Sequence, residues 1–73
     1  MKRLTAMQSR VLSFIIRQQK LVGAPPTVRE IAEKFECSSP NGIRQHLRLI
    51  ERKGYISVIP GRARGIRVAV GFE

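Results

Sequence analysis

Ser39-Pro40-Asn41-Gly42-Ile43-Arg44-Gln45-His46-Leu47-Arg48-Leu49-Ile50-Glu51-Arg52-Lys53-Gly54 is the stretch on which the reading of this chain turns. Ser39 is a favoured N-cap residue, and Pro40 follows where a first helical residue belongs. Ile43, Leu47 and Ile50 recur at helical spacing, so they form one buried face. Asn41, Gln45, Arg48 and Arg52 fall on the opposite side, with Arg44 beside them and Glu51 nearer the core side. Gly54 is suited to end the segment. The spacing predicts a helix over about 40–53 whose solvent side carries amides and arginines.

Working upstream, Thr27 and Glu30 have the spacing of a capping box, with each side chain serving the other residue's backbone N–H. Val28, Ile31, Ala32 and Phe35 then predict a short helix over about 28–36. Glu36-Cys37-Ser38 is the tight turn between the two helices. Ala24-Pro25-Pro26 is an extended spacer. Before it, Thr5 and Gln8 repeat the capping-box spacing, and a first helix is expected over about 6–22. Its apolar face is Met7, Val11, Phe14 and Ile15, extended by Leu21 and Val22. Gly23 ends it in a left-handed turn.

Downstream of Gly54 the pattern changes from helical to alternating. Tyr55–Ile59 and Ile66–Val70 read as two strands around a turn rich in Gly and Arg, giving a hairpin over about 55–70. The whole is mainly α with a small β-hairpin: three helices, a tight turn and a wing, the winged helix-turn-helix plan. At 73 residues the chain is expected to form one domain, 1–73, with a modest core.

The charge balance points to a polyanionic partner. Fourteen Lys and Arg oppose five acidic residues, for a formal net charge of +9. Most of the cations are Arg, which forks onto phosphate and onto guanine. On the predicted third helix, Arg44 has the chemistry to donate to guanine O6 and N7, while Asn41 and Gln45 fork onto adenine. Gly42 lets the backbone approach closely. Arg48 and Arg52 lie further along, where phosphate is nearer. The hairpin tip, Pro60-Gly61-Arg62-Ala63-Arg64-Gly65, projects Arg62 and Arg64 toward backbone or minor groove. The N-terminus of the second helix offers amides at Thr27 and Val28, with Arg29 beside them, for a phosphate. A solvated helix face is also polar without any ligand. The absence of acid on this face, together with the tight turn before it, favours nucleic acid.

Other function classes lose ground. One cysteine, Cys37, excludes an internal disulfide and a cysteine-based zinc site, and fits a reducing cytoplasm. His46 is the single histidine, so no metal or cofactor is expected, and packing or a backbone bond is its expected role. The apolar runs are too short for a membrane span or a signal peptide. No Ser, His and acid arrangement suggests catalysis.

Several motifs in register resemble one family. They are Leu4-Thr5-Ala6-x-Gln8, Pro25-Pro26-Thr27-x-x-Glu30-Ile31-Ala32, Ser39-Pro40-Asn41-Gly42 with His46-Leu47, Arg52-Lys53-Gly54-Tyr55-Ile56, and Arg64-Gly65-Ile66-Arg67. Together they resemble the N-terminal domain of LexA-type repressors of the bacterial SOS response, across nearly the whole chain. The resemblance implies a dimer on palindromic double-stranded operators, with the third helix in the major groove. Carried onto this sequence, it implies that Ser39, Asn41, Gly42, Arg44 and Gln45 read bases. The enterobacterial pattern has two acids where Arg44 and Gln45 stand, so the resemblance implies a different operator here. Glu36-Cys37-Ser38 also replaces the usual Gly-containing turn. The family continues into a self-cleaving peptidase domain with a Ser–Lys dyad. Here every Ser and Lys lies in the DNA-binding region, so either these residues are a piece of a longer repressor or the chain is a short natural protein without that switch. Dimerisation would then be weak, or confined to DNA. A protein-interaction module, using Leu49 with the off-face Leu12 and Ile16, is the alternative.

Overall fold

The computed structural model describes residues 3–35, 40–62 and 64–69. Three helices, α1 (Ala6–Val22), α2 (Val28–Lys34) and α3 (Pro40–Arg52), precede a hairpin of β1 (Ile56–Val58) and β2 (Ile66–Val68). This is the expected winged helix-turn-helix order, with somewhat shorter elements. The second helix ends at Lys34 rather than near residue 36, because Phe35 leaves helical geometry as its C-cap. Lys53 falls outside α3, and the strands contract to three residues each. The expected Glu36-Cys37-Ser38 turn, the Ser39 cap and the distal strand residue Val70 lie outside the described residues.

Both capping boxes form. Thr5 Oγ1 accepts from the Gln8 N–H at 3.2 Å, and Gln8 Oε1 accepts from the Thr5 N–H at 3.1 Å. Thr27 and Glu30 reproduce the exchange at 3.1 and 2.8 Å. Each box satisfies N–H groups that the first turn of a helix cannot serve itself. Gly23 ends α1 at φ 82°, a conformation a β-carbon opposes, and donates to the Gln19 carbonyl at 3.0 Å.

The core lies where the three helices and the hairpin meet. Val11 and Ile15 of α1, Ile31 of α2, and Ile43 and Ile50 of α3 are completely buried, with Ile56 and Ile66 closing the hairpin side. Phe14 and Phe35 meet edge to face at 5.9 Å between α1 and the end of α2, a favoured aromatic geometry. Two expectations for α1 are corrected. Leu12 is buried, not off the core face, while Leu21 and Val22 are 73% and 65% exposed instead of extending that face. Leu12 joins the common buried cluster of the three helices and the hairpin, whereas Leu21 and Val22 in the last turn lie outside it. Ile16 is half-buried against the core.

The hairpin is antiparallel, pairing Ile56 with Val68, Ser57 with Arg67 and Val58 with Ile66. Ile59 N–H donates to the Gly65 carbonyl at 2.8 Å, and Ala69 N–H to the Tyr55 carbonyl at 2.9 Å. Gly65 is buried, and a β-carbon there would sit 2.5 Å from the Ile59 carbonyl oxygen. That contact is below van der Waals separation, so the base of the wing closes only around a glycine.

Candidate nucleic-acid interface

The geometry of α3 sets its two faces apart. Ile43, Leu47 and Ile50 are buried, and Asn41, Arg44, Gln45, Arg48 and Arg52 are exposed. Gly42 is half-buried, and a β-carbon there would meet nothing within 4 Å. A side chain would therefore fit in the free protein. Space for a close backbone approach is consistent with this, but internal packing does not demand the glycine.

Between α3 and the wing runs an open cleft lined by Arg44, Arg48 and Arg62, with Val28 from the start of α2 at one end. The structure thus brings together cations from α3 and the hairpin tip that are fourteen or more residues apart in sequence. Glu51 also lines the cleft, but its Oε2 accepts from the Val58 N–H at 2.8 Å. That bond fixes β1 against the last turns of α3. The sequence offered no signal for it, because it depends on the angle at which the hairpin docks.

Arg64 departs from the expected geometry. It does not project with Arg62 from the hairpin tip. Its Nη1 donates to Glu30 Oε1 at 2.7 Å and to the Pro25 carbonyl at 2.9 Å. Glu30 is held below the usual glutamate range, first by the Thr27 N–H and then by the Arg64 guanidinium. The same carboxylate corrects the reading of the α2 N-terminus: the Thr27 amide is engaged in the capping box and is not a free donor. Val28 and Arg29, the first two helical residues, are the positions whose N–H groups have no intrahelical acceptor. Ser39 lies outside the described residues.

A second polar cluster joins the N-terminus of α1 to the end of α3. Lys53 Nζ donates to Gln8 Oε1 at 2.5 Å and to the Arg3 carbonyl at 2.8 Å. Gln8 is the buried polar residue of the core, so its capping oxygen serves two donors at once.

Residues 1–65 match the family described as the LexA DNA binding domain. This chain belongs to the LexA DNA-binding domain family. The match covers all three helices and β1 and ends at Gly65, the residue that closes the wing. The LexA-type domain is 48% identical over 73 residues to the LexA repressor of Methylococcus capsulatus. It is 47% identical over 73 residues to that of Pseudomonas aeruginosa, and 42% identical over 72 residues to that of Actinobacillus pleuropneumoniae. These alignments cover 99–100% of this chain but only 34–36% of each relative. The chain therefore spans about a third of the length of the curated relatives it matches.

Among the described residues of this LexA-type domain, His46 included, no group of three His, Cys, Asp or Glu could hold an ion. The His46 Nδ1 is buried without a hydrogen-bond partner, so the expected backbone bond is not made at that atom. Among the described residues no helix is long and apolar enough to cross a membrane.

Proposed function

We propose that this LexA-type domain is a sequence-specific, double-stranded DNA-binding repressor module acting in the bacterial or phage-infected cytoplasm. In this reading α3 enters the major groove and the wing lies on the backbone. The observation that carries it is the exposed face of α3, where Asn41, Arg44, Gln45, Arg48 and Arg52 stand opposite the buried Ile43, Leu47 and Ile50. Arg and the carboxamides are the side chains that fork onto guanine and adenine edges. The relatives named as LexA repressors support a role in repression. No catalytic role is assigned to these residues.

Asn41, Gly42, Arg44 and Gln45, with Ser39 before them, are the proposed base readers. Arg48, Arg52 and Arg62 are the proposed phosphate contacts, supported by the cleft that Arg48 and Arg62 share with Arg44. Val28 and Arg29, whose N–H groups the capping box leaves over, are proposed to meet a phosphate at the start of α2. Arg64, also expected as a wing contact, is proposed to act through its pairing with Glu30, which neutralises a carboxylate in the first turn of α2. A palindromic operator bound by two copies, paired weakly or only on DNA, is the assembly that follows. The alternative of a protein-interaction surface is weakened, since Leu12 is buried and Ile16 packs against the core, leaving Leu49 exposed.

Selection from random duplexes tests the reading. Enrichment of a motif at physiological salt is expected, with two half-sites at fixed spacing if two copies bind. Failure to enrich any motif overturns it.

A further inference from the structure

The cations of α1 face away from α3. Val11, Leu12 and Ile15 are the buried apolar residues of α1, and it packs through that side against the inward face of α3. Arg10, Ser13, Arg17 and Lys20 are all on the exposed or half-buried opposite side, within about 40° of its centre at 100° per residue. Two helices that share a core through their inner faces direct their outer faces to opposite sides of the domain. The α1 stripe is therefore set apart from the outer face of α3.

This second basic surface extends beyond one helix. Arg10 and Arg17 share a shallow cleft with Lys34 of α2, floored by Phe14 and edged by Ser9 and Ser13. Lys20 lines a second cleft with Arg67 and with Arg64, the arginine tied to Glu30; Arg67 projects from the outer face of the hairpin beside its cross-strand partner Ser57. Neither cleft shares a residue with the one between α3 and the wing. No acid precedes Glu30 in the sequence, and Glu30 is paired with Arg64. Arg10 to Lys20 spans about 15 Å at 1.5 Å per residue. Duplex DNA presents a negative charge about every 1.7 Å of its axis, so a stripe of about 15 Å faces several phosphates. The hydroxyls along it, Ser9, Ser13 and Ser57, are side chains that bond phosphate oxygens.

We infer that the outer face of α1, continued by Arg67, is a second polyanion-binding surface, and that its occupant is the phosphate backbone of a second DNA duplex. One copy of the domain then holds two duplexes, one read by α3 and one gripped without regard to sequence. This goes beyond the proposed function, which uses only the α3 and wing side.

The experiment is a capture assay. A duplex carrying a single selected half-site is fixed to beads and loaded with the protein, and a labelled duplex of unrelated sequence is added. Capture of the second duplex is expected, with sedimentation giving one protein per two duplexes. The triple variant Arg10→Ala, Arg17→Ala, Lys20→Ala is expected to lower capture at least about tenfold while changing affinity for the site duplex less than about threefold, because salt-dependent phosphate contacts are removed from one side only. Arg10→Lys with Arg17→Lys is expected to retain capture. Absence of capture by the wild type, undiminished capture by the triple variant, or a stoichiometry of two proteins per two duplexes overturns the inference. Tighter binding of poly-glutamate than of duplex to the α1 face overturns it in favour of an acidic protein partner. Arg44→Ala keeps the two readings apart: it relaxes one base position of the selected site but leaves capture of the unrelated duplex intact.

Discussion

Arg64 of the wing and Glu30 of α2 are joined at 2.7 Å, and the Glu30 oxygen that accepts from Arg64 also accepts from the Thr27 N–H. One carboxylate oxygen therefore caps a helix and anchors a hairpin. Both groups are about half exposed, so the pair acts chiefly by orientation, as surface ion pairs contribute little to stability.

The Glu30 carboxyl is held below its ordinary range, first by the Thr27 N–H and then by Arg64. A depressed folded-state value means stability that is fully present above the unfolded value and lost as pH falls through the folded one. Thermal unfolding is expected to show this loss below the ordinary glutamate range. Glu30→Gln is expected to remove that part of the acid dependence. Arg64→Ala is expected to reduce it only in part, since the Thr27 N–H remains. An unchanged pH profile for Glu30→Gln would count against the assignment.

Substitution at Gly65 should disrupt the base of the wing. A β-carbon would approach the Ile59 carbonyl oxygen to 2.5 Å. Gly65→Ala is expected to cost about 1–3 kcal/mol in urea unfolding, the usual range for forced overpacking. It should also weaken DNA binding, because it displaces the strand pair that carries Arg62.

Leu12 and Leu21 give a paired test of α1. Leu12→Ala removes a buried core side chain and should cost about 2–5 kcal/mol. Leu21→Ala removes one that is 73% exposed and should change stability by no more than about 0.5 kcal/mol. Denaturant midpoints of the two variants read the difference directly.

Arg44 and Arg62 line the same cleft yet should fail differently. Loss of a bidentate base contact costs about 1–3 kcal/mol and relaxes one position of the site, which is the expectation for Arg44→Ala. Loss of a phosphate contact weakens all sequences alike and lowers the log–log salt slope by about 0.9, which is the expectation for Arg62→Ala. Titrations against the selected motif and its single-base variants, at several salt concentrations, separate the two.

His46 offers a stabilising substitution. Its buried Nδ1 has no partner, and an unsatisfied buried polar atom costs about 1–3 kcal/mol. His46→Leu keeps an apolar body of similar size and should raise the melting temperature. About 1 kcal/mol corresponds to roughly 4–8 °C in a domain of this length.

The sequence by itself determined the helix starts, the order of elements and the outward face of α3. These are local properties. Thr5 with Gln8 and Thr27 with Glu30 satisfy their own first-turn N–H groups, and the periodicity of Ile43, Leu47 and Ile50 fixes which side of α3 is buried. Tertiary structure decided what depends on how elements dock. The packing of the elements buries Leu12 and leaves Leu21 and Val22 in solvent. Docking of the hairpin brings Arg64 onto Glu30 across thirty-four residues, and packing of α1 on α3 brings Lys53 onto Gln8 across forty-five. Arg62 and Arg64 look alike as neighbours in a basic turn. Only the fold makes one an exposed cation beside α3 and the other a tie to α2, because a two-residue step along a closing hairpin reaches a different neighbour.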